Sequence, residues 1–194
     1  MPFTYTIEST FLTKEECDLI LDFSLKELKL VPSEILTNYT DGGDVNTDIR
    51  KSNQVFYPYY KKFPFLLEKM SKLLNQHIFV KGFDLDFKES QFQFTEYHPG
   101  GHFGWHRDAH GKKITDYDRY CSLVIQLNDE YGEGDLQIKD DQNGTLTVEK
   151  GTGNLILFLS NIEHRVVPVK SGIRYTLVNW VKLKQKKDYK KTLL

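Results

Sequence analysis

His106, Asp108 and His164 are the residues of this chain whose types and spacing most directly offer chemistry. The first two stand two apart at the end of Tyr97-His98-Pro99-Gly100-Gly101-His102-Phe103-Gly104-Trp105-His106-Arg107-Asp108. That segment is short and aromatic enough to predict a β-strand over Phe103–Asp108, where side chains i and i+2 leave on one face. One imidazole and one carboxylate then point together. They make two-thirds of the 2-His-1-carboxylate set that holds a non-haem Fe(II) and leaves positions open opposite the protein ligands. His164 offers a third ligand 58 residues later, after several strand-like runs able to bring it to the same point, and Arg174 stands ten residues beyond it. His110 extends the first pattern to His-x-Asp-x-His and competes for the third place. It lies beside Gly111-Lys112-Lys113, where the strand should have ended, and ranks below His164.

The elements that must position these groups lie mostly in the second half of the chain. Short β-rich runs are expected at Phe83–Lys88, Gln91–Tyr97, Phe103–Asp108, Tyr120–Leu127, Asp135–Lys139, Gly144–Glu149, Asn154–Leu159, His164–Val169 and Arg174–Lys182. Turn signals such as Pro99-Gly100-Gly101, Gly132-Glu133-Gly134, Asn143-Gly144 and Ser171-Gly172 separate them. Many short strands at this spacing predict a mainly β fold with flanking helices, a two-sheet jelly roll with the helices packed on one sheet. Alternation places Phe92, Phe94, Leu123, Ile125 and Leu127 beneath the helices and turns Gln93, Tyr97 and Gln126 toward the lumen, with Ser122 and Val124 repeating the pattern.

Before that region, Phe3–Glu8 alternates as a first strand. Thr13-Lys14-Glu15-Glu16 has the form of a capping box opening a helix with Cys17, Ile20, Leu21 and Phe23 on one face. Residues 31–48 carry Pro32, Gly42 and Gly43 without a sustained period and read as mostly loop. Ile49–Tyr57 is a candidate strand, and Pro64 can open a second helix with Phe65, Leu66, Met70, Leu73 and Leu74 on its apolar face. The cluster Tyr57-Pro58-Tyr59-Tyr60-Lys61-Lys62-Phe63 reads as a loop entering that helix rather than a platform for stacked bases.

Composition removes other classes. In 194 residues, 27% are charged yet the formal net charge is -1, so a general polyanion binder is not expected and a nucleic-acid role would need a local basic patch. The start lacks a basic segment followed by an apolar run, and no apolar stretch reaches membrane-spanning length, so a cytoplasmic protein without membrane contact is expected. Cys17 and Cys121 are far apart and outside any Cys-x-x-Cys pattern, which suggests neither a disulfide framework nor a cysteine zinc site. The basic run from Lys182 to Lys191 reads as a solvated terminus.

Taken in order, Tyr97-x-Pro99-Gly100, His106-x-Asp108, Arg119 with Leu127-Asn128, Gly134-Asp135-Leu136, His164-Arg165-Val166-x-Pro168-Val169 and Gly172-x-Arg174-Tyr175 resemble the Fe(II)/2-oxoglutarate-dependent oxygenases. Within them the likeness is to the prolyl-4-hydroxylase-like branch, including bacterial and viral hydroxylases, over roughly residues 89–182. This sequence departs from the usual Gly-Gly-Glu-Leu run with Glu133-Gly134-Asp135-Leu136, which alters a turn and leaves the ligands untouched.

The resemblance implies a single domain over 1–194, with N-terminal support over 1–88, a double-stranded β-helix core (cupin-like) over 89–183 and a basic tail over 184–194. It implies Fe(II) on His106, Asp108 and His164, and 2-oxoglutarate and O2 as cosubstrates, with ascorbate as a candidate reductant. A guanidinium pairs bidentately with a carboxylate, so Arg174 becomes the anchor for the distal end of 2-oxoglutarate. Tyr97 and Thr176 add donors, and Trp180 walls the pocket. Arg119 falls on the substrate side or is a plain ion-pair partner. Phe103 and Trp105 are pocket walls or core aromatics. The implied reaction is hydroxylation of a prolyl residue in a peptide or protein, with formation of succinate and CO2. Oxidation of a small molecule or free amino acid is the rival, and a non-catalytic cupin-like binding module is the alternative from another class. Asp108 argues against halogenation, whose enzymes lack that carboxylate. Trp180 stands where the nucleic-acid demethylases carry a second Arg. Oligomeric state is not legible in the sequence.

Overall fold

The computed structural model describes residues 5–35, 45–76, 85–86, 91–109 and 119–183, with no account of the side chains of 85, 86 and 183. The chain opens with β1 (Tyr5–Glu8) and α1 (Lys14–Glu27). The capping box forms as expected: Thr13 Oγ1 accepts from Glu16 N, and Glu16 Oε2 accepts from Thr13 N at 2.8 Å. These bonds satisfy helix-end amides that have no partner within the helix.

In the expected loop, Val31–Pro32 forms the short strand β2, while 36–44 lie outside the described residues. The candidate strand Ile49–Tyr57 is split into β3 (Arg50–Lys51) and β4 (Asn53–Tyr57), which join different sheets. The helix predicted from Pro64 is observed, α3 (Pro64–Gln76), and buries Leu66, Met70 and Leu74. A single turn, α2 (Tyr59–Lys62), precedes it. Tyr59 is fully buried and its hydroxyl shares a 2.6 Å hydrogen bond with Ser24 Oγ, so this part of the aromatic cluster is core.

The remaining strands are β5 (Leu85–Asp86), β6 (Phe92–Tyr97), β7 (His102–His106), β8 (Cys121–Gln126), β9 (Gly132–Glu133), β10 (Leu136–Asp140), β11 (Gly144–Thr147), β12 (Leu155–Leu159), β13 (His164–Val166), β14 (Val169–Ser171) and β15 (Arg174–Leu183). They build the jelly roll. An eight-stranded sheet runs β1-β12-β8-β15-β6-β4-β2, with β5 on β15, and faces a five-stranded sheet in the order β11-β10-β13-β7-β3. Of the strand expected over Phe83–Lys88, only β5 lies within the described residues.

Strand alternation explains how the large sheet serves two layers. Phe92, Phe94, Leu123, Ile125, Leu155, Leu157 and Leu177 are buried with Cys17, Ile20, Leu66, Met70 and Leu74 of the helices. Each such side chain contributes roughly 1.5–3 kcal/mol on burial. The opposite face looks into the roll, where Val124, Ile156 and Phe158 meet Leu136 and Ile138 of the small sheet and close one end. Toward the other end, Gln93, Tyr97, Arg174, Thr176, Val178 and Trp180 line a cavity. Gln126 corrects the expectation for the lumen. It is buried, but its amide accepts from Gly151 N at 2.7 Å and donates to Glu149 O at 3.3 Å, tying down a loop instead of lining the cavity.

Candidate active site

Strand pairing delivers the two imidazoles. His164 of β13 is the direct cross-strand partner of His106 of β7, and their ring centroids are 4.2 Å apart. Each ring is fixed by its own chain. His106 Nδ1 lies 2.8 Å from Gly104 O and His164 Nδ1 2.9 Å from Ile162 O. A carbonyl can only accept, so both Nδ1 atoms carry the proton and both Nε2 lone pairs are left to face a common point.

Asp108 reaches that point from outside the strand. β7 ends at His106, short of the strand expected through Asp108. The chain is instead held by two amides, Asp108 N and Ala109 N, each donating to Ser160 O at 2.9 Å. Asp108 Oδ1 then lies 3.6 Å from His106 Nε2 and Oδ2 lies 3.5 Å from His164 Nε2. One ligand atom from each of the three residues falls within 4.8 Å of the others.

The environment sets the charge states. Burial, followed by the neighbouring His164 imidazole, holds His106 well below the ordinary imidazole range. Burial pushes the Asp108 carboxyl upward, but His164, His106 and the Ser122 hydroxyl outweigh it and keep the group below the usual carboxylate range. At neutral pH this offers a neutral His106 nitrogen beside an ionised carboxylate, as a divalent metal requires. Behind Asp108, Ser122 Oγ donates to Oδ2 at 2.6 Å and shares a 2.8 Å hydrogen bond with Ser160 Oγ.

Arg174 faces the same cavity of about 570 Å³. It is 1% exposed, its Nε is buried without a hydrogen-bond partner, and no ion pair joins it to a carboxylate among the described residues. A guanidinium does not deprotonate in proteins, so this is a buried cation awaiting an anion. Tyr97 is its neighbour in register on β6, and the guanidinium lies 5.2 Å from that ring's centroid. Thr176 and Trp180 follow on the same face of β15, with Trp180 beside Ser122 in register and Arg119 stacked over its indole at 3.8 Å.

Phe103 and Trp105 part company. β7 carries an extra residue against β13, because His106 pairs with His164 and Phe103 with Val166. Such a bulge reverses the face of the residues beyond it, so Phe103 stacks on His106 at 3.5 Å between centroids and lines the cavity. Trp105 is turned outward, between Lys139 and Arg165, each 4.7 Å from its ring, and the substrate-wall reading of that residue is withdrawn. His110, the rival ligand, lies outside the described residues. Arg50 lines the cavity and Ser122 supports Asp108 from behind, and neither has a role in the sequence analysis. Ser122 had a signal in the polar alternation of its strand; Arg50 had none.

The donor set fits Fe(II) with 2-oxoglutarate: two oriented imidazole lone pairs and an ionised carboxylate for the metal, and an orphaned buried guanidinium for the far end of a dicarboxylate. Comparison with known proteins agrees. Residues 92–182 match the model of the 2OG-Fe(II) oxygenase superfamily, and the chain has the fold of the prolyl-4-hydroxylase structures.

Among curated relatives, a PKHD-type hydroxylase of Aliarcobacter butzleri is 34% identical over 107 residues, 52% of this chain and 47% of that protein. Another from Stutzerimonas stutzeri is 31% identical over 135 residues, 66% of this chain and 59% of that protein. The chain thus spans about half the length of the curated relatives it matches. A Pseudomonas putida prolyl-4-hydroxylase superposes with a TM-score of 0.70 at 19% identity, covering 95% of both chains. A Trichoplax adhaerens prolyl hydroxylase in complex with a hypoxia inducible factor peptide fragment gives 0.72 at 15% identity, covering 93% of this chain and 83% of that one. No helix among the described residues is long and apolar enough to cross a membrane.

Proposed function

We propose that this protein is an Fe(II)- and 2-oxoglutarate-dependent oxygenase that hydroxylates a prolyl residue of a peptide or protein. The observation that carries the oxygenase reading is the pairing, in one cavity, of the His106–Asp108–His164 cluster with a buried Arg174 that no acid neutralises among the described residues. When bound, Fe(II) and 2-oxoglutarate supply an O2-consuming oxidative decarboxylation that gives succinate, CO2 and the oxidising power for hydroxylation.

The residues divide the remaining work. His106 and His164 present Nε2 lone pairs, and Asp108 supplies the anionic ligand, steadied from behind by Ser122. Arg174 takes the distal carboxylate of 2-oxoglutarate, with the Tyr97 hydroxyl and Thr176 as further donors. Val124, Leu136, Val166 and Val178 line the cavity with apolar surface and exclude water from the reacting atoms. A non-catalytic binding module has no use for the buried guanidinium.

The prolyl and peptide assignments draw support from the names of the relatives and from the peptide held by the Trichoplax adhaerens neighbour. The test has two stages. The protein with Fe(II), 2-oxoglutarate and O2 should release succinate above a metal-free control even before a substrate is found. Lysate proteins treated with the same mixture should then gain the mass of one oxygen atom on proline, read by mass spectrometry. Succinate without any modified proline would leave an oxygenase of another substrate.

A further inference from the structure

Arg50 enters the cavity wall from β3, outside the segment matched by the superfamily. It is 6% exposed and permanently charged. Its Nε donates to Ser52 Oγ at 3.0 Å, and Nη1 reaches Glu34 O at 3.5 Å, the outer limit of a hydrogen bond. Nη2 takes part in neither contact. Among the described residues no carboxylate forms an ion pair with this guanidinium.

The cation is carried to the metal side of the cavity by an aromatic stack. Its carbon lies 4.6 Å from the centroid of Phe103, the ring that stacks on His106. Desolvating a charge is unfavourable unless an opposite charge meets it, and a cation–π contact offsets only part of that. The other lining charges do not meet it. Arg107 turns to Glu163 at 3.6 Å, and Asp108 is committed to the two imidazoles. With Arg107 paired to Glu163, Arg50, Arg119 and Arg174 line the cavity against the carboxylates of Asp108 and Glu34 alone among the described residues, so the field there favours an anion. With 2-oxoglutarate on Arg174, Arg50 still lacks one among the described residues.

We propose that Arg50 recognises a carboxylate carried by the substrate itself, an Asp or Glu side chain close to the oxidised residue of a peptide or the carboxylate of a small molecule. The proposal rests on the oxygenase reading and deepens it: Arg174 holds the cosubstrate's acid and Arg50 selects the substrate's. The free edge of the guanidinium provides the donors.

The test uses the full chain loaded with Fe(II) and saturating 2-oxoglutarate without O2. Fluorescent nonapeptide pools with a central proline, flanked by Glu or by its uncharged isostere Gln, are titrated by anisotropy. N-acetylproline and N-acetylprolinamide compete in a second arm. A carboxylate pairing bidentately predicts that the Glu pool binds at least about tenfold tighter than the Gln pool if the source is a peptide. A comparable acid-over-amide ratio in the second arm indicates a small molecule. Arg50→Gln should bring the operative ratio close to one, and Arg50→Lys should keep part of it. Wild-type ratios near one in both arms, or an undiminished ratio in Arg50→Gln, overturn the proposal. If Arg50→Gln fails to fold, the wild-type and Arg50→Lys ratios decide. Succinate release, measured separately in air, keeps the two readings apart: succinate with flat ratios removes the role of Arg50 alone, and a ratio without succinate removes the oxygenase reading alone.

Discussion

Ser122 Oγ lies 2.6 Å from Asp108 Oδ2 and 2.8 Å from Ser160 Oγ, a chain of hydroxyls wholly inside the protein that steadies the one anionic ligand of the candidate metal site. Groups that orient a metal ligand typically contribute 10–100-fold to affinity. Ser122→Ala should therefore weaken Fe(II) binding by about tenfold or more in an anaerobic titration, while Ser122→Thr, which keeps the hydroxyl on a strand, should stay near wild type. Equal affinity in the alanine variant would show that Asp108 is positioned by its backbone contacts to Ser160 alone.

Arg174 has no ion pair to lose within the described residues, only the Tyr97 ring 5.2 Å away, so its removal largely separates binding from stability. Two charge-assisted hydrogen bonds to a carboxylate, at about 1.5–3 kcal/mol each, predict that Arg174→Met raises the KM for 2-oxoglutarate by roughly a hundredfold or more. Replacing a buried, unpaired charge with an apolar side chain should leave the melting temperature of the metal-free protein unchanged or higher. A normal KM would end the assignment of Arg174, and a large fall in melting temperature would mean that it has a structural partner.

How much of this site was legible in the sequence follows from the kind of interaction each residue depends on. His106, Asp108 and His164 are identifiable because metal ligation restricts residue type, and Thr13 with Glu16 because a cap is a local hydrogen-bond pattern. Phe103 was not assignable because strict alternation puts it opposite His106, and only the extra residue in β7, held by pairing with β13 and by Gly104 N donating to Ile49 O at 2.7 Å, returns it to the cavity face, while Trp105 stays opposite His106 as alternation requires. Arg50 was invisible for the same reason. What makes it unusual is burial without an acid among the described residues, a property of the folded surroundings and not of Asp48-Ile49-Arg50-Lys51.

Glu133 shows the cost of departing from the resembled pattern. It sits at φ 53, followed by Gly134 at φ 70, so two consecutive residues occupy the left-handed region and only the second is a glycine. A side chain there is disfavoured by about 1–2 kcal/mol, partly offset in a comparison with glycine by the greater freedom of the unfolded glycine chain. Its exposed ion pair with Lys170, at 3.4 Å, contributes little. Glu133→Gly should stabilise the protein by about 0.5–1 kcal/mol in urea unfolding. A destabilised variant would mean that the Glu133 side chain supports the turn in a way its backbone angle does not reveal.

The buried imidazole gives the metal-free protein a specific pH dependence. His106 titrates from 6.5 in its ordinary state and lies far below that in the fold, so between these values the unfolded chain binds a proton that the folded one refuses. Stability therefore falls as pH drops below about 6.5, by at most about 1.4 kcal/mol per pH unit from this group. Asp108 adds to the loss only in more acid solution, because its depressed carboxyl contributes stability above its ordinary value of 3.8 that disappears as pH falls through the folded value. The urea midpoint of chelator-treated protein should then decline from pH 6.5 to pH 5, and His106→Gln should decline less over the same interval, by about 1–2 kcal/mol at pH 5. Parallel curves for the two proteins would place a readily protonated His106 in the fold, and the neutral ligand assigned to it here would have to be abandoned.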